Sequence, residues 1–80
     1  MILSEAIRSR INELCKERNI TINKLSTICG VTQSTFNNIM SRENCTPTVS
    51  TVKKICDGLE ISLQDFFSSK YFDDLEQEIQ

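Results

Sequence analysis

The sequence predicts a compact all-α domain built from five short helices. Its 80 residues suffice for one domain, because two domains of half that length would each lack a core. Only two Gly and one Pro are present, which leaves little room for long irregular loops. No apolar run reaches the roughly 18 residues of a membrane helix, and residues 1–20 are too polar for a signal peptide, so we expect a cytoplasmic protein.

Apolar residues at positions 7, 11, 14 and 15 form one stripe at helical spacing, which predicts an amphipathic first helix over residues 5–18. Ser4 is the expected N-cap, and Glu5 suits the positive end of the helix dipole. We expect the opposite face to be solvated, and its charged residues are Arg8, Arg10, Glu13, Lys16, Glu17 and Arg18.

A second helix is predicted over residues 22–29, with Thr21 as its N-cap. Gly30 follows directly and can take the left-handed conformation that closes a helix, because it has no Cβ to clash. The expected buried stripe of this helix consists of Leu25, Ile28 and Cys29.

Thr32 is a fresh N-cap for a third helix over residues 33–41, in which Phe36 and Ile39 face inward. The connection to the preceding helix is only about three residues long, and such a turn makes two helices cross steeply. This is the geometry of a helix-turn-helix.

The loop over residues 41–48 is marked by Pro47, and Thr48 is the expected cap of a fourth helix over residues 49–58. Gly58 is expected to weaken the end of this helix. Its predicted apolar side consists of Val49, Val52, Ile55 and Cys56.

The run Ser62-Leu-Gln-Asp65 matches a capping box and predicts a fifth helix that ends at about residue 68. Leu63, Phe66 and Phe67 of that helix should close the core. We therefore expect a domain over residues 1–69. Residues 70–80 are an acidic tail, either a short helix that forms with a partner or a frayed end.

Charge is distributed unevenly along the chain. The net charge is −2, yet residues 1–56 carry eight Lys or Arg against four acids, and residues 57–80 carry one Lys against seven acids. A basic body with an acidic tail can present one surface to phosphate groups. The modest excess of positive charge does not by itself identify a partner.

Four cysteines lie at positions 15, 29, 45 and 56, with no Cys-x-x-Cys pair and no His in the chain. The spacing excludes the usual zinc fingers, and reduced thiols packed in a core are the favoured interpretation. A four-thiolate metal site and a redox switch are the alternatives. Cys45, in a polar loop, is the best candidate for a reactive thiol.

The run TINKLSTICGVTQSTFNNIM at residues 21–40 resembles the helix-turn-helix of the phage-repressor family, which includes Cro, repressor and XRE proteins. The resemblance extends through Pro47-Thr48, a helix of the form Val-x-x-Val-x-x-Ile-Cys-x-x-Leu, and Ile61-Ser-Leu-x-x-Phe66, so it covers about residues 5–68. It implies a lambda-repressor-like fold that binds double-stranded DNA. Ser26 stands where the family usually has Ala, and Cys29 where a larger apolar residue is common.

The resemblance also implies which residues meet DNA. The third helix would enter the major groove with its N-terminal residues towards the base edges, where Gln and Asn amides match the N6/N7 edge of adenine. Base contacts are expected from Gln33, Ser34 and Asn38, with Asn37 as a neighbour. Backbone contacts are expected from Lys24, Thr32, Thr35, Arg42 and Asn44, and from the N-termini of the second and fourth helices. The same polar residues would also suit an ordinary solvated face.

The implied function is a transcriptional regulator, here a repressor, that binds a pseudo-palindromic operator as a homodimer with half-sites about 34 Å apart. By elimination, the dimer surface would be the C-terminal helix and tail, with Phe66, Phe67, Tyr71 and Phe72. The rival hypothesis is a protein-interaction module, such as the antitoxin of a toxin–antitoxin pair, that docks through the tail. Without His, a Gly-rich phosphate loop or a paired nucleophile, we expect neither an enzyme nor a cofactor.

Overall fold

The computed structural model describes residues 1–79, and it is all-helical, as the sequence predicts. No strand occurs in this range, and the Cα radius of gyration is 12.0 Å. None of the helices described is both long and apolar enough to cross a membrane. The elements are α1 (Leu3–Arg18), α2 (Ile22–Cys29), α3 (Gln33–Ser41), α4 (Val49–Leu59) and α5 (Leu63–Phe66), followed by a 3₁₀ turn (Lys70–Phe72).

Four predicted N-caps are confirmed. In each case the hydroxyl accepts a hydrogen bond from the backbone N–H three residues later, at 3.0–3.2 Å. Gly30 also closes α2 in the left-handed conformation that was expected of it, with φ +71°. Donor and acceptor are three residues apart in each cap, so these bonds do not depend on the packing of the helices. The capping residues are Thr21, Thr32, Thr48 and Ser62.

The start of α1 differs from the prediction. The helix begins at Leu3, with Ile2 in the N-cap position, because Leu3 packs against the core and extends the apolar stripe by one turn. Ser4 is therefore inside the helix and is not its cap. Its side chain is buried, and its hydroxyl donates a 2.6 Å hydrogen bond to the backbone oxygen of Glu43.

The core lies between all five helices, and three side chains that were predicted to be inside it are exposed. Ile28 is 42% exposed because α2 buries the neighbouring face formed by Leu25 and Cys29. Val49 is 73% exposed because it opens the first turn of α4, beyond the core. Phe67 is 40% exposed because α5 ends at Phe66, short of the predicted residue 68. The largest fully buried side chains are those of Ile11, Leu25, Phe36, Ile39, Ile55, Cys56, Leu59 and Phe66.

Gly58 lies where α4 packs against α2. A Cβ at this position would come within 2.9 Å of the Cys29 Cβ and 3.0 Å of the Cys29 Cα. At this point α2 and α4 therefore approach each other more closely than a larger residue at position 58 would allow. The sequence showed only a residue that weakens a helix end, whereas the structure gives Gly58 a packing role.

Arg10 joins α1 to the end of α5. Its guanidinium donates 2.8 Å hydrogen bonds to the backbone oxygens of Asp65 and Phe66, and it forms an ion pair with Glu13. The Arg10 side chain is only 12% exposed. The prediction of a solvated charged face is thus wrong at Arg10, because the side chain donates to carbonyl groups at the end of a short helix.

The segment after α5 returns to α1. The Phe72 ring lies 6.1 Å from the Phe66 ring and 4.9 Å from the Phe67 ring, measured between centroids. Further along, the backbone N–H of Glu76 donates to the backbone oxygen of Met1 at 3.1 Å. The division between a domain and a tail at residue 69 stays a prediction, and Gln80 lies outside the described residues.

Three of the four thiols are buried, as predicted. Burial raises the pKa of the thiols of Cys15, Cys29 and Cys56 above its ordinary value, because a thiolate loses its hydration there. Cys45 is half-buried. A thiolate is the reactive form, so the folded protein should hold three protected thiols and one accessible thiol.

Gly58→Ala is expected to lower the free energy of unfolding by about 1–3 kcal/mol through the overpacking against Cys29. Helix propensity alone would raise the free energy of unfolding by about 1 kcal/mol. Urea unfolding of the wild type and the variant measures which of the two effects is larger. Gly30→Ala is the control. A Cβ at this position meets nothing within 4 Å, so any loss of stability comes only from the left-handed backbone conformation. Unchanged or increased stability of Gly58→Ala would show that the close approach of α2 and α4 is not required.

A disulfide reagent at pH 8 is expected to modify Cys45 rapidly and the other three cysteines only as the protein unfolds. The release of the chromophoric thiol in native and denaturing buffer measures both populations. Cys45→Ser serves as the control and should abolish the fast phase. More than one fast thiol in the folded wild type would contradict the burial described above.

Candidate nucleic-acid interface

The region from α2 to α3 has the local structure of a helix-turn-helix. The two helices are separated by residues 30–32, so residues 22–41 do not form one continuous helix. Gly30 is left-handed, Val31 is buried at the junction, and Thr32 caps α3. The turn is thus fixed by one backbone conformation, one apolar contact and one hydroxyl.

Ser26 occupies a tightly packed position in α2. It is buried, and its hydroxyl donates a 2.9 Å hydrogen bond to the backbone oxygen of Asn23, as expected for a Ser within a helix. The polar group is therefore satisfied within its own helix. Replacement of the family's usual Ala by Ser leaves no unpaired polar atom in the core.

The outward face of α3 is uncharged and polar. Gln33, Ser34 and Asn37 are exposed and Asn38 is half-buried, while Phe36 and Ile39 on the opposite face are buried. None of the three amide side chains makes a hydrogen bond to another part of the described chain. Their donors and acceptors are therefore free to meet a partner.

Two open grooves join α3 to the segments that follow it. One groove is lined by Asn38 and by the loop residues Arg42, Glu43, Asn44 and Cys45. The structure therefore brings a predicted base-contacting residue beside two predicted backbone-contacting residues, Arg42 and Asn44, both of which are exposed.

The second groove lies between α3 and the N-terminus of α4. It brings Thr35 and Asn38 next to the run from Thr46 to Thr48 and to Thr51. Hydroxyl groups and the first backbone N–H groups of α4 thus lie close to the polar face of α3. The amino-acid pattern indicated the N-terminus of α4 but not Thr46 and Thr51, although the recurrence of Thr at positions 46, 48 and 51 was a visible signal.

The remaining predicted positions are separate from these grooves. Lys24 is exposed in the first turn of α2, where its backbone N–H donates to the Thr21 hydroxyl. Thr32 is exposed, and its hydroxyl donates to that of Thr35 at 2.9 Å.

Known proteins share this arrangement. A family model for the Cro/C1-type HTH DNA-binding domain matches residues 10–70. The chain is 30% identical over 70 residues to the SPbeta prophage-derived uncharacterized HTH-type transcriptional regulator YopS of Bacillus subtilis (strain 168), a match that covers 88% of this chain and 95% of that protein. The solved structure of the prophage Lp1 protein 11 superposes with a TM-score of 0.82 at 33% identity, over 94% of this chain and 100% of that one.

The family model spans well over half of the chain and includes both helices of the motif. The turn at Gly30 and the cap at Thr32 supply the local geometry that the motif requires. The chain belongs to the Cro/C1-type helix-turn-helix family of DNA-binding domains.

Proposed function

We propose that this protein binds double-stranded DNA in a sequence-specific manner, with α3 in the major groove, and represses transcription in the cytoplasm. The observation that carries the proposal is the exposed, uncharged amide face of α3 on a helix-turn-helix. A domain bound at a promoter would repress transcription by covering it. Family membership supports DNA binding, and the positions of the side chains around α3 support the roles of single residues.

Sequence recognition is assigned to Gln33, Ser34, Asn37 and Asn38. Each amide offers a donor and an acceptor, so it can pair with the N6 and N7 atoms of adenine in two hydrogen bonds. The buried residues Phe36 and Ile39 hold the helix to the core. The polar side chains are thereby held on a rigid helix, which limits the bases that they can reach.

Backbone contacts are assigned to Lys24, Thr32, Thr35, Arg42 and Asn44. Such contacts fix the register of the protein on the duplex and carry no sequence information directly. The first N–H groups of α4 add partial positive charge beside the same face, since its N-terminus lines the groove next to Thr35. An acidic protein can therefore still meet phosphates with one surface.

A homodimer on a pseudo-palindromic site completes the proposal, because one motif reads too few base pairs for strong specificity. The proposed dimer surface is the aromatic patch formed by Phe67, Tyr71 and Phe72. Phe67 is exposed and the other two are partly exposed, which supports this choice. Phe66 was part of the expected surface but is fully buried, so it supports the patch from below.

Gln33→Ala and Asn38→Ala are expected to weaken binding to the selected operator by about 1–3 kcal/mol and to relax specificity at one base pair each. Lys24→Ala and Arg42→Ala should weaken binding to all duplexes alike and reduce the slope of log K against log salt by about one. Anisotropy titrations on an operator selected from genomic fragments, and on mixed-sequence DNA, measure both effects.

Gln64→Ala is the matched control for the amide changes, because Gln64 is exposed on α5 and lines neither groove. Equal losses on operator and mixed-sequence DNA for Asn38→Ala would contradict its role in base recognition. If the wild type fails to bind any duplex at low salt, the proposed function is wrong.

Phe67→Glu is expected to weaken self-association about tenfold or more, because a charge would be buried in the aromatic patch. Sedimentation equilibrium of the wild type and the variant measures this. Val49→Glu is the control, since Val49 is an exposed apolar residue on another element. A wild type that stays monomeric at high concentration, with and without DNA, would contradict the dimer.

A further inference from the structure

The N-terminal half of α1 holds the backbone of the turn that follows α3. The Ser4 hydroxyl donates a hydrogen bond to the backbone oxygen of Glu43 at 2.6 Å. The Arg8 guanidinium donates through one nitrogen, Nη1, to the backbone oxygens of Arg42 at 3.1 Å and of Glu43 at 3.3 Å. Two side chains from the first helix thus contact two successive carbonyl groups of one turn.

The turn is also bonded within itself. The N–H of Arg42 donates to the oxygen of Asn38 at 3.0 Å, and the N–H of Cys45 donates to the oxygen of Arg42 at 3.2 Å. The backbone is therefore fixed from α3 and from α1. The side chains of Arg42 and Asn44 are exposed in the groove beside Asn38.

Ser4 has no part in capping α1, so local structure does not explain its hydroxyl. The residue is 4% exposed, and a buried hydroxyl without a partner would be costly. Its one hydrogen bond as a donor goes to Glu43, 39 residues away in the chain. The bond therefore specifies where the turn lies relative to α1.

We propose that Ser4 and Arg8 are positioning residues for DNA binding, which set the turn over residues 42–45 so that Arg42 and Asn44 meet phosphate groups. This inference rests on the proposed function. Apparent affinity falls in proportion to the fraction of molecules with the binding conformation. Loss of a hydrogen bond that fixes the turn therefore weakens binding without removing any group that touches DNA.

The variant Ser4→Ala distinguishes a positioning role from direct contact with DNA. Its hydroxyl is neutral and buried, so Ser4→Ala changes neither the charge nor the surface that DNA meets. Arg8 is partly exposed and carries a charge that could itself contact a phosphate. Arg8→Ala is therefore compared with Lys16→Ala, which removes one charge on the face of α1 beside Tyr71, outside both grooves.

The experiment measures the anisotropy of a labelled mixed-sequence duplex of about 20 base pairs, two helical turns, over a range of salt concentrations. Ser4→Ala is expected to bind about threefold to tenfold more weakly with an unchanged salt slope, as for one lost hydrogen bond. Arg8→Ala should lose more affinity than Lys16→Ala. In the free protein, hydrogen exchange at the Cys45 amide should be faster in Ser4→Ala, and that at the Phe67 amide should be unchanged.

Wild-type affinity in Ser4→Ala, together with faster exchange at Cys45, would overturn the positioning role and leave the proposed function intact. A salt slope that falls by about one in Arg8→Ala but not in Lys16→Ala would show that Arg8 contacts a phosphate directly, and would overturn its positioning role. A wild type that does not bind the duplex would overturn the proposed function, and this inference with it.

Discussion

The close packing of α2 against α4 is the constraint on which the rest of the structure depends. Without a side chain at Gly58, the backbone of α4 reaches the Cβ and Cα of Cys29. Because only residues 30–32 separate α2 from α3, the position of α2 also determines the position of α3. A shift at this contact would therefore move the face of α3 that we propose as the DNA-binding face. The small residue Cys29 on α2 serves the same purpose.

The helix α3 divides its surface between two tasks. Phe36 and Ile39 are buried and bind it to the core, whereas the amides on its other side face solvent. The outward side is uncharged, so it can approach bases and phosphates without repulsion from either. This arrangement explains how a protein with a net charge of −2 can belong to a DNA-binding family. The position of charges relative to one surface matters more than their sum.

The helix α1 donates side-chain hydrogen bonds to two other parts of the chain. Arg10 donates to the last carbonyl groups of α5, and Ser4 and Arg8 donate to those of the turn after α3. In each case a side chain donates to backbone oxygens at the end of a short helix or in the turn that follows one. The longest helix therefore links the C-terminal part of the core to the edge of the candidate interface.

The candidate site could be predicted in part from the sequence. The exposed positions of Gln33, Ser34 and Asn37 follow from the helical period around Phe36, since that period separates the two faces of one helix. The groove between α3 and α4 could not be predicted in the same way. It depends on the angle at which α4 leaves the loop, and a loop has no period that fixes an angle.

The amino-acid pattern alone predicted the five helices, four hydroxyl caps and the left-handed Gly30, because each of these depends on partners within about four residues along the chain. The roles of Ser4, Arg10 and Gly58 depend on the tertiary structure, because their partners lie in other elements, far along the chain. The separations are 39 residues for Ser4 and Glu43 and 56 for Arg10 and Phe66. A sequence pattern records the apolar period of a helix, but it does not record which distant carbonyl group a side chain will meet.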